Sequence, residues 1–419
     1  MILGRPPHAV MFVGPGSVGK TTLALDLAAG LLCGDPDPGA RPCRVCRGCR
    51  QVASGNHPDL HRLAPDGPGG QVRIGKSTDP EPGTVRHLIG ELTLLPVEGG
   101  ARVAIVEQAH RLNDDAQNAL LKMLEEPPAG VTIVLCADDE ECLLPTVRSR
   151  CVRVRLGAVG GREIERWLGE LGLADAPRAA RLSRLADGRP GLALAYARSA
   201  DAERLRGEVA RGVVDMLAEG RQARLATVRE LMKSAAALDA ALDAALDAGR
   251  DDSRRDAGGA DPGAAQRAVR GRRARAARAV DPEEALDAAA EEAAPKLAAA
   301  DRRSAAATLL DIWASIGRDL AVARAGGARQ LREMELVDEL RTIAPGVSAA
   351  ALGSFMEQLG TIATQLDENV NPELALDVLA LGWPRAEPES AAAMAVPHAT
   401  TAGTPATSRP AAAMETRRR

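Results

Sequence analysis

Aromatic side chains are nearly absent from this chain. Two Phe, one Tyr and three Trp amount to 1% of its 419 residues. Its cores must then be built from Leu, Val, Ile and Ala, and few rings are available for stacking on nucleic-acid bases. A strong charge of one sign is also missing. The formal net charge is -4 and the pI about 6.0, so no global field marks a nucleic-acid binder, which leaves room only for a local basic face. No stretch of about 18 uninterrupted apolar residues occurs, so no transmembrane helix and no membrane partner are expected. The opening M-I-L-G-R-P-P-H lacks a basic region ahead of an apolar run and does not read as a secretory signal. Seven cysteines in such a chain point to reduced thiols or metal ligands in the cytoplasm rather than to disulfides. The length suggests roughly two to three domains.

What is present is concentrated near the amino terminus. Ala9 to Val13 is a short apolar run, which predicts a buried parallel strand. It feeds Gly14, Pro15, Gly16, Ser17, Val18, Gly19, Lys20, Thr21 and Thr22. This G-x-x-x-x-G-K-T pattern lets consecutive backbone N–H groups converge on phosphate oxygens. Its lysine reaches the β- and γ-phosphates, and the Thr21 hydroxyl would hold magnesium. Leu23, Leu27 and Leu31 fall at helical spacing over Thr21 to Leu32. Further strands are expected at Leu60 to Leu63, Arg102 to Val106 and Val131 to Cys136, with helices at Thr84 to Leu95 and Asp114 to Glu126. Alternation of this kind indicates a doubly wound parallel sheet, whose ligands lie at the carboxyl ends of the strands.

Cys33, Cys43, Cys46 and Cys49 follow the loop's own helix with C-x9-C-x2-C-x2-C spacing. Four thiolates satisfy tetrahedral zinc, and the pattern leaves no open position, so the site reads as structural. Gly48 would ease the turn, and Arg41, Arg44, Arg47 and Arg50 would offset the charge of a tetrathiolate site. Cys136, Cys142 and Cys151 read as strand and loop packing. After the strand ending at Val106 stand Glu107 and Gln108. A glutamate can reach a metal, but a glutamine cannot accept a proton from water, so the pair reads as binding nucleotide and hydrolysing it poorly. Ser149-Arg150-Cys151 offers an arginine able to reach a neighbour's phosphate, or else an ordinary surface ion pair.

Beyond Leu156 the pattern is helical. Arg162 to Leu171, Ala179 to Ala186 and Pro190 to Arg198 would form a small lid, and helices continue from about Ala202 to Leu381. Arg250 to Arg278 is polar, Gly-bearing and Arg-rich, and reads as a solvated linker or insertion. Beyond Trp383-Pro384 the Ala, Thr, Pro and Ser tail is expected to be disordered.

Together, G-R-P-P-H-A-V-M-F-V-G-P-G-S-V-G-K-T, the cysteines, the run L-L-P-V-E-G-G-A-R-V-A-I-V-E-Q-A-H-R-L-N, then A-L-L-K-M-L-E-E-P-P and L-P-T-V-R-S-R-C resemble the bacterial DNA polymerase III clamp-loader family. The dense match runs from about Gly4 to Leu156. The resemblance implies an α/β P-loop AAA+ domain (1–157) with an inserted zinc module (33–49), a helical lid (158–201) and an all-α collar (202–385). The collar would carry an Arg/Ala-rich insertion at about 248–280, with a tail at 386–419.

Within the family, Glu107-Gln108 and the lid sequence G188-R-P-G-L-A look nearer the delta-prime type than the gamma/tau motor. The resemblance then implies a subunit of the polymerase holoenzyme in a pentamer with gamma/tau and delta. Such a ring loads the sliding clamp onto primer-template DNA with ATP and Mg2+. Arg150 would act in trans as an arginine finger, and Glu107 would approach the metal. The alternative is an active gamma/tau-like ATPase. Cys136-Ala137-Asp138 departs from the family's Thr-bearing sensor, which argues further against hydrolysis.

Overall fold

Five short runs form one sheet: β1 (Ala9–Val13), β2 (Leu60–Leu63), β3 (Arg102–Val106), β4 (Val131–Ala137) and β5 (Val152–Arg155). The order is β2-β3-β4-β1-β5, and every pairing is parallel. The computed structural model describes residues 7–65, 71–98, 100–256, 299–367 and 370–386. The Gly4 to Pro6 opening, most of the Arg-rich stretch and the tail beyond residue 386 lie outside those residues.

Alternation along the strands sends side chains into two apolar layers. Ala9, Met11 and Val13 of β1 pack with Ala104, Val106, Ile133 and Leu135 against one set of helices. Val10 and Phe12 pack with Val103, Ile105, Val134 and Cys136 against the other. The first layer is closed by α3 (Val85–Thr93) and α4 (Asp114–Glu125), the second by α1 (Lys20–Leu31) and α2 (Arg47–Ser54). Thr84 caps α3 by accepting the His87 N–H, and Asn113 caps α4 by accepting that of Ala116. Such caps satisfy donors that a helix start leaves open. Because the strands are parallel, Gly14, Glu107, Asp138 and Leu156 all emerge at one edge.

Two elements at the β5 edge were not expected. The sequence predicts no strand at Val152–Arg155, yet β5 pairs with β1. It is a mostly exposed edge strand that alternates Val with Arg, so it lacks the apolar run by which the buried strands are read. A short helix, α5 (Pro145–Arg148), precedes it.

The carboxyl-terminal half is helical: α6 (Gly161–Glu170), α7 (Ala176–Ala186), α8 (Pro190–Arg198), α9 (Ala200–Asp215), α10 (Arg221–Asp256), α11 (Ala299–Arg324), α12 (Val337–Ile343), α13 (Ala349–Asp367) and α14 (Pro372–Gly382). One continuous core runs from Ile164 to Trp383 through all of them. α10 continues to Asp256, past Arg250, where the sequence predicts a linker to begin. Ala386, expected in the disordered tail, pairs with Val347 and donates its N–H to the Leu217 carbonyl. The few aromatics are concentrated here. Trp313, Phe355 and Trp383 lie with ring centroids 4.6 to 5.7 Å apart, a favourable edge or tilted geometry. The helical core is therefore not purely aliphatic, as composition alone suggests. Among the described residues, no helix is long and apolar enough to cross a membrane.

Candidate functional site

The loop after β1 is shaped by backbone geometry. Gly14 has φ 154°, and a Cβ there would lie 2.1 Å from the Leu156 carbonyl oxygen. Only glycine admits the chain that leaves β5 at this point. Ser17 (φ 60°) and Gly19 (φ 105°) take positive φ as the loop curls into α1. Val18 is buried, Pro15, Ser17 and Thr22 are exposed, and Gly16 and Thr21 lie between.

Lys20 opens α1 and is 7% exposed. Its Nζ donates to the Gly14 carbonyl at 2.8 Å and the Pro15 carbonyl at 2.7 Å. It also pairs with Asp138 Oδ1 at 2.7 Å. Glu107, at the end of β3, is held by Arg62 of β2 through Nε at 2.9 Å and Nη2 at 2.5 Å. Gln108 follows in the left-handed conformation, φ 50° and ψ 49°. Cys136 lies within this cluster, and its thiol is pushed up to about 12, mainly by burial and further by the Glu107 charge. The edge thus gathers the loop, Glu107, Cys136 and Asp138 as the parallel-sheet reading requires.

Two further arginines are engaged within the chain. Arg150 pairs with Glu125 Oε1 at 2.5 Å and donates to the Thr146 carbonyl at 2.8 Å. Glu125 is the last residue of α4. Arg189, which precedes α8, pairs with Asp311 of α11 at 2.6 Å. It is paired with this long helix rather than with the loop. The contact between lid and loop is made instead by Gly191, whose N–H donates to the Ser17 carbonyl at 2.9 Å. A Cβ on Gly191 would stand 2.8 Å from that oxygen, so the second glycine of G-R-P-G permits the approach.

Behind α1 the four cysteines converge. Their sulfurs lie within 4.8 Å of one another, with Cys33 Sγ 3.5 Å from Cys43 Sγ and 3.8 Å from Cys46 Sγ. Zn–S bonds of about 2.3 Å in a tetrahedron separate sulfurs by about 3.8 Å, so the group fits zinc. Backbone N–H groups of Cys43, Cys46 and Cys49 point at the Sγ atoms of Cys33, Cys43 and Cys46. The Cys49 N–H is the main reason the Cys46 thiol falls to about 6. Burial pushes Cys49 up to about 12, a penalty that a bound cation would offset.

Two readings of the knuckle change. Gly48 lies inside α2 rather than in a turn, and a Cβ there would sit 2.4 Å from the Leu32 carbonyl oxygen. Its role is the close approach of α2 to the end of α1. The guanidinium groups of Arg44 and Arg47 are paired elsewhere, Arg44 with Asp26 of α1 at 2.7 Å and Arg47 with Glu98 at 3.4 Å, while the Arg44 backbone N–H favours the Cys49 thiolate. The module is thereby tied to the core. Asp59 continues that tie by accepting the N–H groups of Val97 and Glu98 and pairing with buried Arg102 at 3.2 Å.

Sequence reasoning missed Arg62, Glu125 and Gly191 as members of the site, and read Asp138 only as a departure from a sensor. Arg62 carries a weak signal, being the only charged residue in the four-residue run of β2. Nothing in the local sequence signals the Glu125 contact.

Comparison with known proteins adds the following. The family described as DNA polymerase III, delta subunit, matches residues 2–159. The chain is 34% identical over 230 residues to DNA polymerase III subunit delta' of Pseudomonas aeruginosa, covering 55% of this chain and 63% of that protein. It is 37% identical over 191 residues to DNA polymerase III subunit tau of Salmonella typhimurium, covering 44% of this chain and 28% of that one. Against delta' of Escherichia coli it is 37% identical over 193 residues, covering 46% and 55%. The chain therefore spans between about a quarter and two thirds of these relatives. A gamma-subunit-related protein of Thermotoga maritima overlaps 90% of this chain and 95% of its own at 16% identity and a TM-score of 0.33, too low to bear on the fold. Identities to delta' and tau are too similar to separate the two types.

Proposed function

We propose that this chain, a member of the DNA polymerase III clamp-loader family through residues 2–159, serves as a delta-prime-type subunit. It joins gamma/tau and delta subunits in a ring that loads the sliding clamp onto primed DNA. Its own site takes ATP with Mg2+ but turns it over negligibly, and Arg150 serves the nucleotide of a neighbouring motor subunit. The cysteine knuckle holds one structural zinc.

The observation that carries the non-motor reading is the end of β3. Gln108 stands where a water-activating carboxylate would be needed, and Glu107 beside it is in the grip of Arg62. Lys20 and Thr21 remain able to bind phosphate and metal, which supports binding without hydrolysis. The gamma/tau-like reading is supported by the same Lys20-Thr21 pair, and the 37% identity to a tau subunit is matched by 37% to a delta' subunit.

Co-expression with candidate motor and delta subunits, followed by sizing, tests the assignment. A delta-prime-type chain enters one complex in single copy. A turnover assay on the isolated chain separates the two readings. Robust hydrolysis that vanishes in Lys20→Ala would establish a motor subunit instead.

A further inference from the structure

The Lys20 ammonium has three donors, and three acceptors take them: the Gly14 carbonyl, the Pro15 carbonyl and Asp138 Oδ1. The two carbonyls belong to the loop itself. A phosphate that reaches Lys20 must replace one of the three, and Asp138 holds the place of an anion. Its other oxygen, Oδ2, lies 3.3 Å from where a Cβ on Gly16 would be, so the carboxylate stands over the loop's glycine and does not merely touch the lysine tip.

The turn that carries Asp138 is also held. Its backbone N–H donates to His110 Nδ1 at 3.1 Å. Two residues on, Glu140 pairs with Arg155, and with Arg153 at 3.4 Å, both on β5. Asp138 therefore cannot leave by a free swing of its loop. Only its side chain, 44% exposed, can turn aside, and it would remain a negative charge beside an entering polyphosphate.

We propose that the Asp138 carboxylate is a built-in competitor for the phosphate cradle, weakening nucleotide binding and biasing the site towards nucleoside diphosphate over triphosphate. The inference rests on the reading of the loop as a nucleotide cradle. Like charges brought within a few ångströms oppose each other strongly where solvent is partly excluded. A triphosphate brings more charge and a further phosphate that competes for the same lysine, so it bears the larger penalty. The ion pair that nucleotide must break adds to the cost for both ligands.

The test is equilibrium titration of the full chain with MgATP and MgADP, comparing the native protein with Asp138→Asn, Asp138→Thr and the double variant Asp138→Asn with Lys20→Ala. Both single variants should tighten ATP by about tenfold or more, ADP by less, and so raise the ATP-over-ADP preference. The double variant should lose the gain. Asp138 is part-exposed, so neither single variant leaves a buried hole, and the two check each other. Equal affinities in native and variant chains overturn the proposal while leaving the cradle reading intact. Weaker ATP binding in the variants overturns it too and makes Asp138 a supporting group. Absence of binding in every chain, Asp138→Asn included, overturns the cradle reading and this inference with it.

Discussion

The cysteine knuckle and the proposed nucleotide cradle lie at opposite ends of the same helix, α1, and they are assembled in opposite ways. The knuckle draws all four ligands from residues 33–49, and they meet at metal-binding distances. The cradle draws Lys20, Arg62, Glu107 and Asp138 from the ends of different strands and helices, and its charges are satisfied by one another. One site brings together four thiols of one kind. In the other, every charge has a partner within the chain. A local site built by spacing can be closed structurally, whereas a site built by topology can be tuned by any residue that the sheet edge brings near.

The largest expected effect lies on the knuckle. Zinc removal, or Cys46→Ser, takes away a binding free energy of the order of 10 kcal/mol in structural zinc sites. The module should then open locally, while the sheet, with its own apolar layers, stays folded. Metal analysis should find about one zinc per native chain and none in the variant. Trypsin should cut rapidly at Arg44, Arg47 or Arg50 only in the zinc-free form; Arg41 precedes Pro42 and resists trypsin in either form. A zinc-free native chain that resists cleavage there would break the contrast between the two sites.

Next in size is the tie between module and core. Asp59→Asn leaves Arg102, 2% exposed, with an uncompensated charge, a loss of about 3 kcal/mol or more. Chemical denaturation should register it. The pH dependence follows from the Asp59 carboxyl. Burial pushes its pKa up, but the Glu98 and Val97 N–H groups and Arg102 together hold it below the usual value. A group depressed in the folded state stabilises fully above its unfolded value of about 4, and the contribution disappears as pH falls through the lower folded value. The native chain should keep this share of its stability down to about pH 4 and lose it only in stronger acid, and Asp59→Asn should flatten that loss.

These contrasts explain what could be read from the chain. β1, β3 and β4 are largely apolar runs with β-branched residues, and the loop and the cysteines are contiguous patterns, so each is visible locally. β5 was hidden because an exposed edge strand needs no apolar run. The site's partners were hidden because Lys20 follows β1 while Asp138 follows β4, with β2 and β3 between them in the chain, and because Arg62 and Glu107 are 45 residues apart at successive strands; only the strand order β2-β3-β4-β1 brings each pair together. Gly48 looks like a turn residue in sequence, and Gly191 like an ordinary member of the helix expected over Pro190 to Arg198. Their close contacts with Leu32 and Ser17 appear only when the helices are packed.

Arg150 tests the delta-prime-type assignment rather than the chain's own cradle. To reach a neighbour's phosphate it must leave Glu125. A partly exposed pair of this kind contributes little to stability, so the exchange is inexpensive. Arg150→Ala should leave zinc content and assembly unchanged and lower DNA-stimulated ATPase of the whole complex. A single finger is worth about 10³, and the loss should be smaller where other motor sites keep their own. Glu125→Gln should not lower the rate. Wild-type clamp loading by the Arg150→Ala complex would reduce the arginine to a surface ion pair.

The smallest effect expected is at Arg62, and its sign is the informative part. Arg62→Met keeps an apolar stem and removes both donors from Glu107. The side chain is 32% exposed and that of Glu107 16%, so little stability should be lost with the pair. The freed carboxylate adds negative charge beside the loop. Without divalent cation, ATP should bind more weakly than to the native chain. With Mg2+, the same carboxylate can reach the metal and binding should tighten by about two- to fivefold, the scale of a part-exposed charge contact. The ratio of affinities with and without Mg2+ should therefore rise even if each change is small. A shift of the same sign and size under both conditions would mean that Glu107 never faces the metal, and that Arg62 only completes the sheet edge.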